Sequence, residues 1–200
     1  KANGKIFVTN WAGPLVTDST KESAGVPWGL TYTNPVTGAT AMGTVSIYNP
    51  ANGKLIKEMK TGLHPNAIAA GRDGKYVYIS NGSSDYISVI STATNTVVEK
   101  ISTGIFNAAY KKEGSTPNGL TLSADNKYLY VSNGLDNAVA VIELKKDKAN
   151  NHVGKSFIKG FIPTEAYPAG LVIKNNYLVV ANLESGGADV INQQKNARSI

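Results

Sequence analysis

The chain has 200 residues, 42% of them apolar, a net charge of +6 and no cysteine. That length suits one sizeable domain or part of a larger one, and the lack of cysteine excludes disulfides, thiolate metal sites and cysteine nucleophiles within it. No run approaches the ~18 consecutive apolar residues of a membrane-spanning helix. The opening KANGKIF lacks the shape of a signal peptide, so any export signal is expected upstream or already removed.

In chain order, four phrases superpose: KIFVTN ending at Asn10, YVYISN ending at Asn81, YLYVSN ending at Asn133 and YLVVAN ending at Asn182. Successive asparagines stand 71, 52 and 49 residues apart, and the first step is long because 11–42 reads as an insertion. The insertion holds both tryptophans, Trp11 and Trp28, and TNPVTGAT (33–40), a turn sequence between two strand-like arms. The third copy displays the unit best: GLTLS (119–123), KYLYVS (127–132), AVAVIEL (138–144) and SFIKGFI (156–162). These are short aromatic and β-branched runs bounded by Gly, Asn, Asp and Pro, which is strand punctuation. No stretch carries a 3.6-residue amphipathic pattern.

Four short antiparallel strands in each ~50-residue repeat predict an all-β fold, a β-propeller of four-stranded blades. Blades bury their faces only against neighbours, so the duplicated text is a packing requirement. Blade pieces are expected at about 1–62, 63–104, 105–165 and 166–200, some three and a half blades. Closure takes 4–8 blades. The expected partner is therefore the remainder of a longer polypeptide or a second chain that completes the ring.

Strand direction alternates within a blade, which sorts the loops by face. Links between second and third strands share a face with the blade-to-blade links, so 11–42 and 103–117 are expected on one side. Long loops on a rigid scaffold concentrate binding. The phrases HPNAIAA, TPNGLTL and YPAGLVI lead into the innermost strands. They place His64, Thr116 and Tyr167 at the rim of the channel, with Asn66 and Asn118 just below. With Trp11, Trp28 and Tyr110 on the same side, these are the candidate binding residues for an unknown ligand or protein partner. A structural reading of the same residues is that the prolines set the strand start and the asparagines tie blades together.

Chemistry is sparse. His64 and His152 are expected on opposite faces, which argues against a shared metal or a His-based triad. No HExxH, phosphate loop, GxSxG or EF-hand spacing is present, and the serines of NGSSD (81–85) read as a strand-end turn. No catalytic residue, metal ligand or cofactor is predicted. The densest basic group, Lys145, Lys146 and Lys148, reads as a solvated loop. Without aromatic interleaving, nucleic acid is not an expected partner.

Tyr130-Val131-Ser132-Asn133, with looser copies ending at Asn10, Asn81 and Asn182, resembles the YVTN family of bacterial and archaeal propeller repeats. The segments 26–69, EGSTPNGLTLSADNKYLYVSNGLDNAVAVIEL (113–144) and GFIPTEAYPAG (160–170) look like the propeller half of exported two-part proteins. In those, a phosphoesterase domain of the alkaline phosphatase superfamily follows the propeller. The resemblance implies a seven-bladed ring, an extracytoplasmic location and a non-catalytic binding or scaffolding role, with none of the phosphoesterase residues present here. Two alternatives stay open: a propeller enzyme with its site at the channel mouth, and a cell-surface or matrix protein.

Overall fold

The computed structural model describes residues 2–18, 20–21, 23–26, 29–105 and 114–183. Among them, the strands build blade-like antiparallel sheets. The first sheet joins β1 (Ile6–Asn10), β4 (Thr44–Tyr48) and β5 (Leu55–Lys60). The second is four-stranded: β6 (Pro65–Ala70), β7 (Tyr76–Asn81), β8 (Tyr86–Ser91) and β9 (Thr96–Ser102). The third repeats that order with β10 (Pro117–Leu122), β11 (Tyr128–Asn133), β12 (Ala138–Glu143) and β13 (Phe157–Pro163). A fourth pairs β14 (Pro168–Lys174) with β15 (Tyr177–Asn182). This is the expected all-β propeller architecture of up-and-down blades.

The insertion carries its own hairpin, β2 (Ser23–Val26) against β3 (Gly29–Tyr32). TNPVTGAT follows that hairpin and turns the chain back on itself, the Ala41 N–H donating to the Tyr32 carbonyl and the Asn34 N–H to the Ala39 carbonyl. It forms a separate turn closed by a Thr33–Thr40 bridge, with Asn34 Oδ1 accepting from the N–H groups of Val36 and Thr37. A side-chain cap of that kind lets Asn34 hold its own turn.

Every residue of β7 is buried, because both of its faces meet a neighbouring sheet. Val77 and Ile79 pack with Val45 and Ile90 on one side. Tyr78 packs with Ile87, Val89, Leu129, Val131 and Ile142 on the other. Fully burying each such aliphatic side chain contributes about 1.5–3 kcal/mol. Burial stops at the two ends of the stack, where Ile6 and Val8 are exposed on one side and Val172, Tyr177 and Val179 on the other.

The inner strands share one irregularity. Pairing slips after Pro65, Pro117 and Pro168, so each inner strand bulges just inside its proline. Proline gives no N–H to the ladder, and a bulge is where a sheet accommodates it. Strand β10 lies beside both β6 and β14, which brings the inner strands together around the channel side.

The segment 145–154 corrects the reading of a solvated loop. It folds back on the second sheet: Lys75 Nζ donates to the Ala149 carbonyl, Asn150 to Asp73, and the His152 side chain is buried beneath Tyr76 and Tyr78. Lys146 is partly buried over the Tyr76 ring, and Lys145 pairs with Glu143; Lys148 is exposed. Lysine stems cover aromatic surface here, an option that charge spacing alone does not reveal.

Candidate functional site

The residues before the three prolines share an unusual backbone. His64, Thr116 and Tyr167 all take positive φ, at 50°, 51° and 53°. For a β-branched residue such as Thr116 this conformation is a true outlier, and the left-handed region costs roughly 1–2 kcal/mol. The reason is a repeated hydrogen bond. The carbonyls of His64, Thr116 and Tyr167 accept from the N–H groups of Gly82, Gly134 and Leu183, each the residue after a repeat asparagine. The chain is twisted there to aim the carbonyl at the end of the second strand.

Trp11 follows Asn10 and so occupies the slot that Gly82 and Gly134 fill in the next two copies. At Gly134 a Cβ would come within 2.8 Å of both the Tyr167 ring and Asn118 Nδ2, so only glycine admits that ring. In the Trp11 copy, two rings meet instead. Trp11, 56% exposed, lies against the His64 imidazole with centroids 4.5 Å apart. Burial pushes the His64 imidazole below its ordinary value, which leaves it uncharged near neutral pH.

Below the rim, Asn66 Nδ2 donates to Asn118 Oδ1 across the blade boundary at 3.1 Å. The Nδ2 of Asn118 is itself buried without a hydrogen-bond partner. In the following copy the same position is Ala169, which offers no acceptor. The structure thus brings Asn66 to Asn118 and Trp11 to His64. His64 Nδ1 lies against Ser83 Oγ, and the Tyr167 ring lies beside Gly134. Trp28 and Tyr110 lie outside the described residues.

Two residues read only as a turn do more. Ser83 Oγ lies 2.5 Å from His64 Nδ1. The Asp85 carboxylate accepts from the N–H groups of Gly114 and Thr116, anchoring the end of the 103–117 link. Their only signal in the sequence is that GSSD differs from GLD at the same point of the next copy. A cleft of about 380 Å³ opens beside Trp11, lined by Asn10, Leu15, Thr31, Tyr48 and Glu58 among others. Glu58 accepts there from Thr44 and Asn10, and Asn10 also donates to Ser46. Among the described residues no group of three or more His, Asp or Glu side chains is arranged to hold a metal ion.

His152 lies at the opposite face. Its Nδ1 is 2.6 Å from Glu99 Oε2 and its Nε2 2.8 Å from the Tyr78 hydroxyl. Burial, with the charges of Asp73 and Glu99, pushes the Tyr78 phenol far up, so it stays a donor. Burial also acts to raise Glu99, but hydrogen bonds from His152 and Ser156 outweigh it and hold the carboxyl below its ordinary value. The His152 and Glu99 side chains are almost fully buried in this cluster.

Repeated four-stranded antiparallel blades with bulged inner strands define the chain as a β-propeller. It belongs to the lactonase family of seven-bladed β-propellers, whose family model matches residues 35–150. A curated relative, Antigen Lp49 of Leptospira interrogans, is 30% identical over 111 residues, covering 48% of this chain and 22% of that protein. Among solved structures, the hydrazine synthase of Kuenenia stuttgartiensis shares 23% identity at a TM-score of 0.55, over 74% of this chain and 41% of that one. Candidate 6-phosphogluconolactonases from Bacteroides uniformis and Bacteroides fragilis share 21% and 23% identity, at TM-scores of 0.54 and 0.52. They are matched over 80% and 81% of this chain, and the chain spans 46% and 47% of theirs. At these identities the solved structures support the fold alone.

Proposed function

We propose that the chain is a ligand-binding propeller module whose site is the channel mouth, on the face carrying 11–42 and 103–117. The observation that carries this reading is the amide pair Asn66–Asn118, with the Nδ2 of Asn118 left without a partner. A buried donor without an acceptor costs about 1–3 kcal/mol, and a ligand carboxylate or carbonyl oxygen that moved aside the groups covering it would recover it. Thermal-shift titration with 6-phosphogluconate, the acid related to the Bacteroides proteins' named activity, tests it. A rise in Tm is expected, and Asn118→Asp should abolish it. That variant keeps an acceptor for Asn66 but removes the donor. No rise with wild type, or an equal rise with the variant, would count against the site.

A second reading, a propeller enzyme with its site at the same mouth, is supported by the family's lactonase name and by the Ser83–His64 contact. Proton release from 6-phosphogluconolactone above the uncatalysed rate, lost in His64→Asn, would favour it over pure binding.

Around this module we place a larger arrangement. The resemblance of 113–144 and 160–170 to exported two-part proteins supports an extracytoplasmic module that precedes a phosphoesterase domain. The exposed Ile6 and Val8 at one end of the stack, and Val172, Tyr177 and Val179 at the other, suit further blades of the same polypeptide, or a second chain. The intact mass of the protein from its source and its cell fraction test this. A 200-residue cytoplasmic protein would sink the arrangement, and ordered self-assembly of the purified protein would favour the surface or matrix role instead.

A further inference from the structure

We propose that Ser83 is a nucleophilic hydroxyl that takes acyl groups from activated esters, with His64 as its base. This reactivity goes beyond the binding role and stands without it. Ser83 is exposed at the turn after β7, and its Oγ sits 2.5 Å from His64 Nδ1. A serine beside a positioned imidazole is the arrangement that activates a hydroxyl at neutral pH. The base must be uncharged to act, and the burial that depresses the His64 imidazole keeps it so.

The pair is held from three directions. His64 sits in left-handed backbone at φ 50°, its carbonyl fixed by the Gly82 N–H at 2.8 Å. Trp11 covers one face of the imidazole at 4.5 Å. The Ser83 N–H donates to the Leu63 carbonyl, which sets the serine's own position. The exposed Trp11 indole beside the pair offers an apolar face to an aryl or alkyl ester.

In the step, Ser83 Oγ attacks the ester carbonyl carbon and passes its proton to His64 Nδ1. The tetrahedral adduct expels the leaving alkoxide or phenolate, which takes that proton from His64. An O-acyl serine and a free alcohol remain, with no oxidant or metal required. Turnover should be poor, because the turn's backbone donors are occupied. The N–H groups of Gly82, Ser83 and Ser84 donate to the carbonyls of His64, Leu63 and Asn81. None of the three is free to stabilise an oxyanion, the contribution that speeds both acylation and release. An activated ester's good leaving group compensates in acylation but not in release from the serine ester, so the acyl group is expected to accumulate on Ser83.

The test uses the full chain with p-nitrophenyl acetate, read by p-nitrophenolate release and by mapping acetylated peptides. One acetyl group per chain on the peptide bearing Ser83 is expected, with a stoichiometric burst. Ser83→Ala should remove it. His64→Asn should slow it about a hundredfold, the scale of a general base; asparagine tolerates left-handed backbone, so circular dichroism should show an intact fold. The wild-type rate should rise with pH and level once the imidazole is neutral. Acetyl groups spread over lysines with none on Ser83 would overturn the proposal. So would acetylation of Ser83 at an unchanged rate in folded His64→Asn.

Discussion

The backbone N–H of Gly62 donates to Oδ1 of Asn81, 2.8 Å away, and Asn81 is completely buried. Its Nδ2 donates in turn to the Tyr86 carbonyl and Ser88 Oγ, so one side chain ties the preceding blade link to the next hairpin. Removing it leaves several buried groups unsatisfied. Asn81→Ala is expected to cost about 2–3 kcal/mol, read as a lower urea midpoint at unchanged slope. A Cβ on Gly62 would stand 2.5 Å from Asn81 Cβ, so Gly62→Ala should be destabilising as well. An unshifted midpoint in both variants would contradict this role for the repeat asparagine.

The strain at Thr116 makes the opposite prediction. Thr116→Asn keeps the carbonyl for Gly134 and places a residue that tolerates φ of 51°. Stability should increase by about 1 kcal/mol, a Tm gain of roughly 2–4 °C for a chain of this size. A loss would mean that the threonine methyl packs more usefully than its backbone suggests.

The Glu99–His152 contact predicts an acid limb. Glu99 has a depressed folded value, so its contribution is fully present above its unfolded value near 4.5 and is lost as pH falls through the lower folded value. Denaturation midpoints measured downward from pH 6 should therefore fall below about pH 4.5. In Glu99→Gln the baseline should start lower and the slope should flatten. An unchanged slope would assign the acid limb to other carboxylates.

His64 should titrate below 6.5, the ordinary histidine value, because burial opposes its charged form. NMR of the imidazole protons gives the midpoint directly. Trp11→Ala uncovers one face of the ring and should move the midpoint back toward 6.5. A midpoint that ignores the substitution would show that Trp11 does not shield the imidazole.

Much of this was legible beforehand for a physical reason. Strand text is local: Tyr76–Asn81 and Tyr128–Asn133 alternate side chains into two buried faces, and the turns between strands need Gly, Asn or Asp. The prolines at 65, 117 and 168 likewise marked the starts of inner strands. Spatial partners were another matter. Ser83 and His64 stand nineteen positions apart, and Glu99 and His152 fifty-three, with no periodicity linking either pair. The 145–154 segment showed its lysines but not the tyrosines it covers.

The sequence by itself determined the blade architecture, since that follows from strand length, alternation and turn chemistry. Only the tertiary structure decided which groups meet. A hydrogen bond across a blade boundary depends on how two sheets twist against each other. The left-handed turn at His64, Thr116 and Tyr167 is imposed by a carbonyl that must reach a distant N–H. That contact, made in three dimensions, sets the rim and positions His64 beside Ser83.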